Sequence, residues 1–178
     1  MHPNPSHNAG QQDSAPSEWV RRFGEKVQPG GHILDVASGA GRHANWFAGR
    51  GHPVDAVDRD KPIKLSSQIE FKQADIEMGP WPYPDQVYAG VVVTNYLHRP
   101  LLQTLVESVA RDGWLIYETF AAGNERFGRP ARADFLLQPG ELLEMVRGRL
   151  RVIAYEHGYV DLPKPAVVQR IAAQFAVD

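Results

Sequence analysis

An α/β protein with a doubly wound, mostly parallel sheet is predicted by three observations on this chain of 178 residues. Apolar runs of strand length alternate with helical patterns between residues 17 and 120, as parallel strands joined by crossover helices require. Two of those runs, at residues 88–97 and 113–120, are apolar almost throughout, the composition of strands buried on both faces. A glycine-rich turn, ILDVASGAGRHA from Ile33 to Ala44, stands where the first strand gives way to a helix.

Residues 1–17 are rich in Pro, Asn, Gln and Ser and offer almost nothing to bury, so they are expected to form a disordered tail before a single domain over residues 18–178. Ser17 reads as the N-cap of a helix through residue 27, in which Trp19, Val20, Phe23 and Val27 recur at helical spacing until Pro29-Gly30-Gly31 stops it. A strand at residues 32–37, a helix at 41–51 and a strand at 53–58 follow, then a short connection and a strand at 69–75. After a turn-rich stretch come the apolar strand at 88–97, a helix at 100–110 and the strand at 113–120. The last third carries a polar loop at 121–134, a helix at 139–148 and two extended segments split by Asp161-Leu162-Pro163-Lys164-Pro165, expected to pair antiparallel at one sheet edge.

Composition bounds the function. A hydrophobic content of 43% supplies one sizeable core. Nineteen basic and 21 acidic residues give a formal net charge of -2, well mixed, with no footprint for a nucleic acid. Cysteine is absent, which excludes thiolate nucleophiles and Cys-based zinc sites; no metal is expected. No segment has the length and apolarity of a membrane span, so a cytoplasmic protein, monomer or homodimer, is the expectation.

Ligands of an open parallel sheet collect at the carboxyl ends of the strands, so the last residue of each strand carries information. The first strand ends in Asp35 and the small-residue run Val36-Ala37-Ser38-Gly39-Ala40-Gly41. The second ends in Asp58, placed to accept hydrogen bonds from ribose hydroxyls, with Arg59 next to it; the third ends in Asp75-Ile76, an acid for an adenine amino group and an apolar side chain for its ring. Together they describe a nucleoside pocket. Gly39-Ala40-Gly41-Arg42-His43-Ala44 satisfies the dinucleotide pattern, with Asp58 roughly 20 residues on. Asp35 discriminates: its carboxylate repels a pyrophosphate but holds the ammonium of an amino acid, directly or through water. Adenosine at one end and an amino acid at the other describe S-adenosylmethionine. Capping of the next helix is the alternative role of Asp35.

These residues resemble the class I S-adenosylmethionine-dependent methyltransferases, in particular the small single-domain, tellurite-resistance-like type. Asp35-x-Ala37-x-Gly39-x-Gly41 matches that family's acid-and-glycine loop, with Ala37 for its first glycine. Asp58 matches the ribose acid, Asp75-Ile76 the adenine segment, and Thr94-Asn95-Tyr96-Leu97-His98 the end of strand four. The resemblance implies a Rossmann-like, seven-stranded sheet with an antiparallel terminal pair. It implies a cofactor site of Asp35, Ala37, Ser38, Gly39, Gly41, Asp58, Arg59, Asp75, Ile76, Asn95 and Tyr96 for S-adenosyl-L-methionine, and methyl transfer by in-line displacement. The connection after Asp58 is shorter than the family's.

Methyl transfer needs proximity and alignment more than a catalytic group, but an N–H or O–H acceptor benefits from a base. The base candidates are His98, Tyr117 and Glu118; the alternative for Glu118, at the end of a buried strand, is a salt bridge to one of the arginines that follow. His43 reads as a surface or loop-packing histidine. The long loop after residue 120 is the expected substrate lid, in which Asn124, Arg126, Phe127 and Arg129, with His98, combine an amide, cations and a ring for a small acidic or aromatic acceptor. Two other readings use the same loop: an NAD(P)-dependent oxidoreductase, disfavoured by Asp35, and a non-catalytic S-adenosylmethionine-binding regulatory protein.

Overall fold

The computed structural model describes residues 15–175; all of the expected tail before Ala15 lies outside the described residues. Seven strands form one sheet in the order β3-β2-β1-β4-β5-β7-β6. They are β1 (Ile33–Val36), β2 (Val54–Asp58), β3 (Ile69–Gln73), β4 (Tyr88–Thr94), β5 (Val109–Phe120), β6 (Arg151–Val160) and β7 (Ala166–Gln174). β1 to β5 pair in parallel, and β7 runs antiparallel to both β5 and β6, as the sequence predicts.

Alternation along each strand builds two cores, one per face. On one face α1 (Glu18–Gly24) and α2 (Arg42–Ala48) bury Trp19, Phe23 and Phe47 against Ile33, Val92 and Ile116. On the other α3 (Leu102–Glu107) and α4 (Glu141–Val146) bury Leu105 and Leu142 against Val91, Leu115, Tyr117 and Ile171. Each large apolar side chain so buried contributes about 1.5–3 kcal/mol. Trp19 adds direction: its indole N–H donates to the Ile171 carbonyl at 3.1 Å, tying α1 across the sheet to β7. No helix among the described residues is long and apolar enough to cross a membrane.

Element ends differ from the sequence-based boundaries where a side chain competes for the backbone. The helix expected through residue 110 stops at Glu107, because Ser108 donates both its N–H and its hydroxyl to the Thr104 carbonyl, at 2.9 and 2.8 Å. Strand β5 therefore starts at Val109, before the expected residue 113, with a register shift against β4 between Tyr88 and Gly90. The connections at 59–68 and 74–87 contain no helix. The first folds back onto α2 instead: Asn45 accepts from the Ser66 N–H and donates to the Lys64 carbonyl, at 2.9 and 3.2 Å.

Candidate cofactor and acceptor site

The turn after β1 is a loop held open by its own carboxylates. Ala37, Gly39 and Gly41 adopt φ of 52°, 55° and 77°, which reverses the chain within five residues. Only glycine enters that region without strain, so Ala37 costs about 1 kcal/mol there. Asp58 braces the loop from β2: one carboxylate oxygen accepts from the Gly39 N–H at 2.8 Å and the other from the Asp60 N–H at 2.9 Å. Asp35 braces it from below. Gly41 is the N-cap of α2 and has no side chain to cap with, so Asp35 Oδ2 accepts from the Ala44 N–H at 2.9 Å instead. The capping role weighed for Asp35 in the sequence is thus realised.

Asp35 is only 1% exposed. Burial pushes its pKa up to about 7, against the opposing pull of the Ala44 N–H and the Arg42 guanidinium. The upper surface of the loop is different. A Cβ built on Gly39 meets nothing within 4 Å, whereas one on Gly41 runs into the Leu65 side chain. Ser38 is buried, and its hydroxyl oxygen has no hydrogen-bond partner among the described residues. An open glycine beside an orphaned hydroxyl is a cradle that fits the polar end of a cofactor.

At the end of β4, Asn95 has φ of 53° and donates its N–H to the Glu118 carbonyl at 3.0 Å. Beside the Glu77 carboxylate, the Tyr96 hydroxyl is likewise buried. Burial, together with the negative charges of Glu77, Asp75 and Asp58, drives its pKa up, so the ends of β2, β3 and β4 converge on one ring. Asp75 accepts from the Glu77 and Met78 N–H groups, both at 3.0 Å, and so shapes its turn, while Ile76 is buried in the core. Arg59 is exposed, and its carbonyl accepts from the Gln73 amide at 3.0 Å.

The acceptor side corrects two expectations. Tyr117 is fully buried and donates its hydroxyl to the Tyr96 carbonyl at 2.8 Å, with its pKa pushed up by burial, so it supports the end of β4 and is no base. Asn124 is 2% exposed, and both ends of its amide are used: it donates to the Pro130 carbonyl at 2.9 Å and accepts from the Val167 N–H at 3.1 Å. It pins the loop and does not grip a ligand. Arg126, Phe127 and Arg129 are exposed, and Phe127 leans on Tyr159 at 5.1 Å between ring centres. His98 is part-exposed at the start of a short 3-10 turn, Arg99–Leu101.

Glu118 pairs with Arg170 of β7 at 3.5 Å, which realises the alternative of a salt bridge to one of the arginines that follow it. His43 is buried and held near a pKa of about 3 by burial and by Arg42, so it is neutral. Its Nε2 accepts from the Ser17 N–H at 3.2 Å, which leaves the proton on Nδ1, 3.4 Å from the Thr94 hydroxyl. Ser17, assigned to the tail from sequence, is therefore anchored. Arg42, Glu156 and Arg170 were missed by the sequence reading; the one signal for Arg170 was a lone charge inside an otherwise apolar strand.

No protein-family model and no curated protein matches the chain by sequence. Its structure is similar to that of TehB from Haemophilus influenzae, with a TM-score of 0.70 at 15% identity, covering 88% of this chain and 61% of TehB; it thus spans about three fifths of that protein's length. The 1,6-didemethyltoxoflavin N1-methyltransferase of Burkholderia thailandensis, solved with its substrate and S-adenosylhomocysteine, superposes with a TM-score of 0.65 at 16% identity over 89% of this chain and 77% of that one. The glycopeptide N-methyltransferase MtfA, solved with S-adenosylhomocysteine, gives 0.60 at 16% identity over 92% and 91%. The chain has the fold that these S-adenosylmethionine-dependent methyltransferases share, a seven-stranded sheet with an antiparallel terminal pair.

Proposed function

We propose that this chain is an S-adenosylmethionine-dependent methyltransferase that acts on a small-molecule acceptor. The observation that carries the reading is the loop at Ala37 to Gly41, where the open face of Gly39 and the unpartnered Ser38 hydroxyl lie together above two bracing carboxylates. Ala37, Ser38, Gly39 and Gly41 receive the methionine end of the cofactor, with Asp35 supplying negative charge beneath its ammonium. Asp58 and Arg59 border the ribose: each Asp58 oxygen keeps a lone pair after its main-chain bond. Asp75, Ile76, Asn95 and Tyr96 enclose the adenine side. Bound there, the cofactor supplies a sulfonium methyl group open to in-line displacement.

The chain's own part is to align the acceptor, exclude water and take up a proton where one is released. Glu118, near the end of β5, and His98, beyond the end of β4, are the groups for that proton. Arg126, Phe127 and Arg129, exposed on the loop after β5, form the acceptor rim. The near-neutral charge of -2 supports a small molecule over a nucleic acid. Equilibrium dialysis tests the reading: radiolabelled S-adenosylmethionine is retained and displaced by S-adenosylhomocysteine but not by NADH. Retention of NADH in its place sinks it.

A further inference from the structure

One level of the sheet carries a row of polar side chains across four strands. Thr94 of β4 stands opposite Glu118 of β5, Glu118 opposite Arg170 of β7, and Arg170 opposite Glu156 of β6. All face the α1 and α2 side, where Trp19 lies under the Arg170 guanidinium at 5.0 Å and Arg42 interacts electrostatically with both Asp35 and Glu118. The row starts at the glycine-loop helix, since Thr94 contacts His43. It ends in a groove of about 320 Å³ lined by Glu156, Gly158, Val160, Val168 and Arg170.

The two carboxylates in this row are not equally committed. Arg170 holds Glu156 with Nε and a terminal nitrogen at 2.8 and 2.7 Å, but reaches Glu118 only at 3.5 Å. Glu118 is also the more buried of the two, with a side chain 15% exposed against 49% for Glu156. A carboxylate taken mostly out of water, with one long ion pair and a second guanidinium, Arg42, that it shares with Asp35, has unused acceptor capacity, which a donor at close range satisfies. With Arg42 shared between Asp35 and Glu118, the row and the loop beside it carry three carboxylates, Asp35, Glu118 and Glu156, for two guanidiniums, so the donor that fits is a cation; an anionic group would face that excess of negative charge.

We infer that the methyl acceptor is a small amine, bound as its ammonium to Glu118, with Arg170 as the positioning residue that Glu156 holds in place and the groove toward β6 taking the rest of the molecule. This inference rests on the methyltransferase reading. The ammonium gives one proton through the Glu118 carboxylate to solvent. The freed nitrogen lone pair then forms a bond to the methyl carbon as the carbon–sulfur bond breaks, and the bonding pair stays on sulfur. The product leaves as the methylated ammonium with the thioether beside it, so charge and atoms balance. Thr94 borders the amine on the cofactor side of the row, and Trp19 underlies Arg170 on the other.

The test uses the full chain, calorimetry with S-adenosylhomocysteine, and benzylamine, p-cresol and benzoate as acceptor probes. Benzylamine binds the S-adenosylhomocysteine complex and is methylated in preference to p-cresol and benzoate. Glu118→Gln lowers turnover about 100-fold and weakens benzylamine binding about tenfold or more, with S-adenosylhomocysteine affinity unchanged. Arg170→Met raises KM for benzylamine about tenfold while kcat changes less, and Arg170→Lys restores KM in part; a purely structural Arg170 leaves the balance of KM and kcat in place. Preference for p-cresol or benzoate, or benzylamine binding that Glu118→Gln leaves unchanged, overturns the inference while the cofactor reading stands. Failure of the wild-type chain to bind S-adenosylhomocysteine overturns that reading and the inference with it.

Discussion

The two halves of the site are built by different means. On the cofactor side the two carboxylates that brace the glycine loop reach partners close in sequence and end on the main chain: Asp35 reaches Ala44, nine residues on, and Asp58 reaches Gly39, 19 residues back. On the acceptor side the ties are long: Glu118 meets Arg170 across 52 residues, and Asn124 meets the Val167 N–H across 43. The first half is a loop whose shape follows from its own glycines and carboxylates. The second is assembled only when β7 inserts between β5 and β6. Damage to either half should therefore separate cleanly, with binding of the cofactor following the first and handling of the acceptor following the second.

The largest separation is expected from Asp58→Ala. It removes the acceptor of two main-chain N–H groups, each bond to a charged group being worth about 1.5–3 kcal/mol, so S-adenosylhomocysteine affinity should fall by about 100-fold or more. Calorimetry checks it, against Arg170→Met as the acceptor-side control, in which affinity stays within about twofold. A loss of stability about as large should follow from Trp19→Ala, which empties a buried aromatic site and unties α1 from Ile171. The cost is about 3–5 kcal/mol in denaturant unfolding, and it should reach both halves because α1 covers both.

Asp35 links stability to pH with a definite sign. Its folded pKa, about 7, lies above the ordinary 3.8, so the folded chain holds a proton that the unfolded chain releases. The stability this contributes is fully present below about pH 3.8 and is lost progressively as pH rises to about 7. Asp35→Asn keeps an acceptor for Ala44 without the buried charge. Its unfolding free energy should lose that slope and exceed the wild type at pH 8, by on the order of 1–4 kcal/mol, while cofactor affinity falls. A wild-type profile without the slope would contradict the burial of an ionisable Asp35. The smallest effect is expected at Ala37: with φ of 52°, Ala37→Gly should raise stability by up to about 1 kcal/mol in the same assay.

The difference between the halves also explains what was legible before the structure. Alternating apolar runs fixed the sheet, its parallel core and the terminal antiparallel pair, because burial on one or two faces is written in local periodicity. The glycine loop, Asp35 and Asp58 were readable because their partners are near neighbours in sequence. Tyr117 and Asn124 were misread for the opposite reason. A tyrosine at the end of a buried strand and an amide in a loop look reactive in sequence, and only the tertiary partners, the Tyr96 carbonyl and the Val167 N–H, show that their polar atoms are spent. Arg170 went unnoticed because its meaning lies in two strands that no local pattern connects to it. Helix ends failed on a finer scale, where Ser108 took the Thr104 carbonyl and ended α3 early.

The central claim, that the braced loop after β1 holds S-adenosylmethionine, is tested most directly by titrating S-adenosylhomocysteine into the wild-type chain and into Asp58→Ala by calorimetry. The account predicts binding at about micromolar affinity, near -8 kcal/mol, in the first and its loss in the second. No heat of binding with the wild type, or equal binding by the two proteins, would contradict it.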